Sequence, residues 1–237
     1  MSSSLELDFP AVDQSLCESI QYQGRKASRV KSEQRRREIL QAALRIVAKE
    51  GVQGVKHRAV AKEAGVPLAS TTYYFKDINE LITDAFMLFA EKSREKLEFF
   101  YSELRRLADE YDAVSVMEDE GRRREFANAL VEMGTNYVLG QVRHHKSELM
   151  SEQAFLMESV RDESLSALAR RYKDAWLSGL VDFMQSLGYE TYIEDAAIIM
   201  GMVGNLEQEG ALQGGSIDED KVRRVWRRLL YMMLDIR

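Results

Sequence analysis

The sequence predicts an all-α protein, and three observations carry the reading. Proline is nearly absent, with two in 237 residues. Leu, Ala, Glu, Arg and Met, which favour helices or fit them easily, are abundant. Apolar positions recur at three- and four-residue spacing, without the sustained Val, Ile and Thr alternation of strands. A hydrophobic content of 45% suffices for a real core in one or two domains.

The elements follow in order. Residues 1 to about 28 are polar with no sustained period, so disorder or weak local structure is expected there. Cys17, the single cysteine, excludes an internal disulfide and a cysteine-based metal cluster, and reads as an incidental thiol. From Arg25 the chain turns basic, through Lys26, Arg29, Lys31, Arg35, Arg36 and Arg37. Such a run is either a solvated tail and helix face or an arm that neutralises phosphates or enters a minor groove. A first helix should begin near Ser32, with Glu33 in its first turn. Its stripe of Ile39, Leu40, Ala43, Leu44 and Val47 should pack on Val55, Val60, Ala61 and Ala64.

The chain is organised around Lys56–Phe75, KHRAVAKEAGVPLASTTYYF. Residues His57 to Ala64 can form two helical turns, Gly65 can take the positive φ of a tight turn, and Pro67 suits the first position of a new helix. That second helix, Leu68–Tyr74, carries Ser70, Thr71, Thr72, Tyr73 and Tyr74 instead of an apolar face, which suits contact with something outside. Helix, glycine turn and polar helix make a helix-turn-helix, whose second helix enters a major groove.

A fourth helix should run from Asp77 or Ile78 to about Leu107, with Asp77 and Glu80 favourable to its dipole. Residues 108–121 are acidic, lack a helical face and read as a loop between domains. Beyond them, Phe126, Leu130, Met133 and Tyr137 line one helix. Leu149, Phe155, Leu156 and Val160 line one or two shorter ones, and Leu165 to Leu187 form a long one closed by Gly188. Two last helices carry Ile193, Ala197, Met200 and Gly204, then Val222, Val225, Trp226, Leu229 and Met233. Their apolar surface, with Gly201 and Gly204 permitting close approach, suits a four-helix interface across a two-fold axis; an ordinary intramolecular core is the other reading. Domain boundaries are expected at residues 1–31, a basic arm; 32–77, the helix-turn-helix; and 78–237, a helical domain for ligand binding and dimerisation.

Charge is segregated. Residues 1–24 carry −4, residues 25–76 carry +9 and residues 77–237 carry −11, within a net −6. A basic segment coinciding with a helix-turn-helix is the footprint of a duplex-binding module. No Gly-rich phosphate loop, GxSxG, HExxH or Cys/His cluster is present, so neither an enzyme, a metal site nor a cofactor is expected. Of the three histidines, His144 and His145 are adjacent and diverge on a helix; with Lys146 they read as a solvated helix end. The longest apolar runs, such as Ala196–Val203, are too short for a bilayer, and MSSSLELDFP lacks the pattern of an export signal, so a cytoplasmic location is expected.

The helix Ser32–Glu50, the Gly51–Val52 break, AVAKEAGV, a short polar helix ending YYF and an acidic helix start with Glu80 and Leu81 resemble the DNA-binding domain of the tetracycline-repressor (TetR) family of bacterial regulators. The resemblance runs from about Ser32 to Phe89. Where the family commonly has leucine then tyrosine before the aromatic pair, this chain has Thr71 and Thr72. The resemblance implies a homodimeric regulator, most simply a repressor on a palindromic DNA operator, released by a small-molecule effector. An architectural or division-linked DNA binder without effector is the alternative. Leu68, Ser70 and Tyr73 would then face base edges, and His57, Arg58, Thr72, Tyr74 and Lys76 would hold phosphates, with Arg35 and Arg36 of the arm. An effector cavity would draw on Phe126, Met133, Tyr137, Gln153, Phe155, Trp176 and Met184, a soft aromatic set with a few polar handles. Met200, Gly204, Val222, Trp226, Leu229 and Met233 would meet the partner subunit.

Overall fold

A computed structural model describes residues 30–112, 116, 119–188 and 191–236. The early basic residues Arg25, Lys26 and Arg29, Cys17, and residues 113–115, 117 and 118 of the expected 108–121 loop lie outside them. Among the described residues there are helices and no strands, as the proline count and apolar spacing require. In chain order they are α1 (Val30–Glu50), a 3₁₀ turn (Val52–Gly54), α2 (His57–Ala64), α3 (Leu68–Tyr74), α4 (Ile78–Tyr111), α5 (Glu120–His144), α6 (Lys146–Ser159), α7 (Glu163–Ser186), α8 (Tyr192–Leu212) and α9 (Glu219–Met233). No helix among them is long and apolar enough to cross a membrane.

The chain divides into two compact units, and the division cuts α4 after Lys96 and α7 after Asp174. One unit holds α1 to α3, the first half of α4, α6 and the start of α7. Its core is the expected α1 stripe, Ile39, Leu40, Ala43 and Val47, against Val55, Val60 and Ala61. Leu44 is only half buried. The unit also contains a ring cluster: Phe86 stacks on Phe155 at 4.5 Å, and Phe89 and Tyr172 close around them. Tyr172 donates to Glu152 Oε1 at 3.0 Å. α6 is tied to the helix-turn-helix side by Gln53, which donates to Glu158 at 2.8 Å. Val160, expected on the apolar face of this region, is instead 82% exposed, because α6 ends at Ser159 and the chain turns.

The other unit holds the second half of α4, α5, the rest of α7, α8 and α9. α4 runs past Leu107 to Tyr111 because its last turn buries Leu107 and Ala108, while Tyr111 packs on Phe126. α7 closes at Gly188, φ 79°, as expected. α5 and α9 approach closely because Gly134 faces Trp226: a Cβ on Gly134 would lie 2.5 Å from the indole. Gly210 of α8 gives Val142 the same room. The expected contact glycines, Gly201 and Gly204, have nothing within 4 Å of a built Cβ, so they make no close approach within the chain. α8 buries Ala196, Ile199, Leu206 and Gly210, not the stripe of Ile193, Ala197, Met200 and Gly204; the helix is apolar nearly all round, so sequence period could not choose its inner face.

Candidate nucleic-acid interface

The interface is built from α2, its turn and α3. α2 ends where Gly65 adopts φ 65°, ψ 34°, and the Gly65 N–H donates to Ala61 O and Lys62 O. This is the left-handed stop that glycine makes inexpensive. Pro67 stands just ahead of α3 as its N-cap, with ψ 145°, rather than in its first helical position. α3 is seven residues long, too short to stand alone, so its neighbours must hold it.

Its side chains divide by face. Thr71, grouped with the outward hydroxyls in the sequence reading, is fully buried, with Oγ1 donating to Leu68 O at 2.8 Å. It occupies the inward position where the family pattern has leucine. Leu68 is 45% and Tyr73 77% exposed, Thr72 and Lys76 are exposed, and Ser70 is half buried. Tyr73 meets the edge of Tyr74 with ring centroids 5.0 Å apart. Tyr74 is half buried, and its hydroxyl lies 3.0 Å from Ser32 Oγ, a tie inside the unit. Beside α3, Arg58 is exposed and His57 half buried at the start of α2. α4 begins with near-reciprocal capping: Asp77 accepts from the Glu80 N–H at 2.9 Å and Glu80 accepts from the Lys76 N–H.

The basic run on α1 does not act as one patch. Arg36, expected at a phosphate, is 1% exposed, paired with Asp84 and stacked 5.0 Å over the Phe75 ring. It cannot reach DNA. The sequence held the signal: Arg36 precedes Ile39 and Leu40 by three and four residues, on the same stripe. Arg35 is half exposed and pairs with Glu38 at 3.3 Å; Arg37 pairs with Glu33 and Glu91. Arg45 holds the Glu63 carboxyl below the usual carboxylate range, through a hydrogen bond of 2.6 Å.

Residues 39–85 match the family model for bacterial regulatory proteins, tetR family. The helix-turn-helix segment is thus similar to the DNA-binding segment of the TetR family. It is 35% identical over 65 residues to the HTH-type transcriptional regulator PksA of Bacillus subtilis (strain 168), a match covering 27% of this chain and 32% of that protein. The chain thus spans about a third of that curated relative's length. A solved TetR-family member from Streptomyces coelicolor A3 shares its fold, with TM-score 0.54 and 24% identity over 82% of this chain and 97% of that one. The multidrug binding protein EbrR, solved in complex with ethidium, matches with TM-score 0.52 and 25% identity over 82% of this chain and 97% of that one.

The other expected TetR-type sites fare unevenly. Val222 is fully buried and Trp226 6% exposed against Gly134, so both belong to the core of their own chain and cannot meet a partner. Met200, Gly204, Leu229 and Met233 are half buried. Of the effector set, Gln153 and Phe155 lie in one unit and Phe126, Met133, Tyr137, Trp176 and Met184 in the other. Phe155 is fully buried in the stack on Phe86, and Phe126 is fully buried beside Tyr111. Both are therefore core residues and do not line an open wall. Tyr137, Phe100 and Trp176 form a ring cluster with centroids 5.0 to 6.3 Å apart. Tyr101, beside them, donates to Trp176 O, and burial pushes its phenol above the ordinary range. Among the described residues, no group of three or more His, Cys, Asp or Glu could hold a metal ion.

Proposed function

We propose that this protein is a TetR-family transcriptional regulator that grips a roughly palindromic operator as a homodimer, represses the genes beside it and is released by a small-molecule effector. The observation that carries the reading is α3: within the family's own helix-turn-helix, a seven-residue helix turns Leu68, Thr72 and Tyr73 outward in the most basic part of the chain. Leu68, Ser70 and Tyr73 read base edges, while His57, Arg58, Thr72, Lys76 and Arg35 hold phosphates. Tyr74 serves mainly to hold α3 on α1.

Dimerisation uses the outer faces of α8 and α9. Ile193 and Ile198 are more than half exposed, as are Leu212 and Met232, beside half-buried Met200, Gly204, Leu229 and Met233. A contiguous apolar face is what an isologous interface across a two-fold axis uses. Two heads about one turn of DNA apart then fit one face of the duplex. The ethidium complex of EbrR supports a small-molecule effector here, with Met133, Tyr137, Trp176 and Met184 as candidate contacts. An effector that prefers the wrong head spacing lowers operator affinity by its differential affinity for the two states.

The test is to recover fragments of the source genome bound by the purified protein and to measure how many chains occupy each. Few, palindromic sites with two-fold chain stoichiometry are expected. Scattered sites without symmetry would replace regulation by an architectural role, and failure to retain any fragment at low salt would end the DNA-binding reading.

A further inference from the structure

Arg36 is a buried cation with no place in the interface above. Its Nη2 donates to Asp84 Oδ2, linking α1 to α4, and both residues are nearly inaccessible. Its guanidinium lies 5.0 Å from the centroid of Phe75, which is fully buried. Phe75 is the residue that closes α3, and its N–H donates to Thr71 O at 3.1 Å. One turn earlier on α1, Ser32 Oγ lies 3.0 Å from the hydroxyl of Tyr74. Positions four apart lie one above the other on a helix. Thus α1 holds two consecutive residues at the end of α3 through two side chains one turn apart, and α4 holds the second of those side chains through Asp84.

Burying two charges is a poor way to gain stability, since packed apolar groups of similar volume often do as well or better. What the ion pair adds is direction. A planar guanidinium held by a carboxylate cannot rotate freely, and the ring beneath it is favoured in a face-on position. The geometry points to Arg36 as a positioning residue for DNA reading: with Asp84 it fixes Phe75, and so fixes the rotation of α3 that aims Leu68, Ser70 and Tyr73, without touching DNA. This rests on the reading of α3 as the base-contacting helix.

The test compares wild type, the double variant Arg36→Met/Asp84→Leu, which removes both charges at similar volume, and Phe75→Leu. Each is melted thermally, then titrated against a fragment selected by the wild-type protein over a range of salt. The double variant should melt at or above the wild-type temperature. It should bind about tenfold more weakly or worse, the scale of one good base contact, with the same slope of log affinity on log salt. Affinity within about twofold of wild type would reduce the ion pair to packing. A slope shallower by about one unit would make Arg36 a phosphate contact instead. If the double variant does not fold, Phe75→Leu decides: it keeps the ion pair and an apolar side chain but removes the ring under the guanidinium, so the same fall in affinity is expected, and unchanged affinity overturns the proposal. Wild-type protein that binds no DNA would sink the reading of α3 itself, and the wild-type titration shows that separately.

Discussion

Two helices at opposite ends of the chain carry a large aromatic residue that the sequence suggested would face outward. On α3, Tyr73 is 77% exposed; on α9, Trp226 is 6% exposed. The difference lies in what stands opposite. Trp226 meets Gly134 on α5, where the absent side chain leaves room for an indole, and its helix repeats Val222, Trp226 and Leu230 inward at four-residue spacing. Tyr73 sits on a helix whose inward position is taken by Thr71 and whose end is held by Tyr74 and Phe75, so the intervening ring has nowhere to go but out. An aromatic side chain serves a core where a neighbour yields space, and a surface where its neighbours are already committed.

That contrast can be broken at its inner end first. Trp226→Ala should cost about 3–5 kcal/mol of stability by denaturant unfolding; a loss below about 1 kcal/mol would put the indole outside and reopen α9 as a partner-facing aromatic surface. Gly134→Val should destabilise by about 1–3 kcal/mol, since its added carbons must displace the indole. A neutral effect there would show that α5 and α9 are not in close contact.

A third substitution sharpens the contrast on its polar side. Burial raises the Glu152 carboxyl above its ordinary range, against the Tyr172 hydrogen bond and the charges of Lys96 and Lys173, which lower it. Between the ordinary glutamate range and that raised value, the folded chain keeps a proton that the unfolded chain releases, so wild-type stability falls as pH rises through that window. Glu152→Gln should remove that slope and gain on the order of 1 kcal/mol at neutral pH. Denaturant midpoints measured across the window check it; wild-type stability rising with pH there would contradict the burial argument.

Much of the head was legible because its signals are local. The α1 stripe, the left-handed Gly65 and the acidic start of α4 each follow from a few neighbouring residues. Most of what failed needed a partner distant in sequence, and Thr71 is the local exception. Arg35, Arg36 and Arg37 look alike as a run, yet only Arg36 lies on the stripe and meets Asp84, forty-eight positions away. Thr71 reads as a surface hydroxyl until its own carbonyl partner, Leu68 O, is seen to let it enter the core. Trp226 depends on Gly134, and α6 reaches the head through Gln53 and Glu158, 105 positions apart, with no mark in local periodicity. The outer faces of α8 and α9 were hard to assign for the opposite reason: apolar residues surround α8, so composition names no side.

The central claim is that α3 reads DNA with side chains the fold does not need. It is tested most directly by Tyr73→Ala, assayed both for thermal stability and for binding to a fragment the wild-type protein selects. The account predicts stability within about 0.5 kcal/mol of wild type, together with affinity lower by about 1–3 kcal/mol, the scale of a lost base contact. Unchanged affinity, or a loss of folding that carries the binding with it, would contradict it.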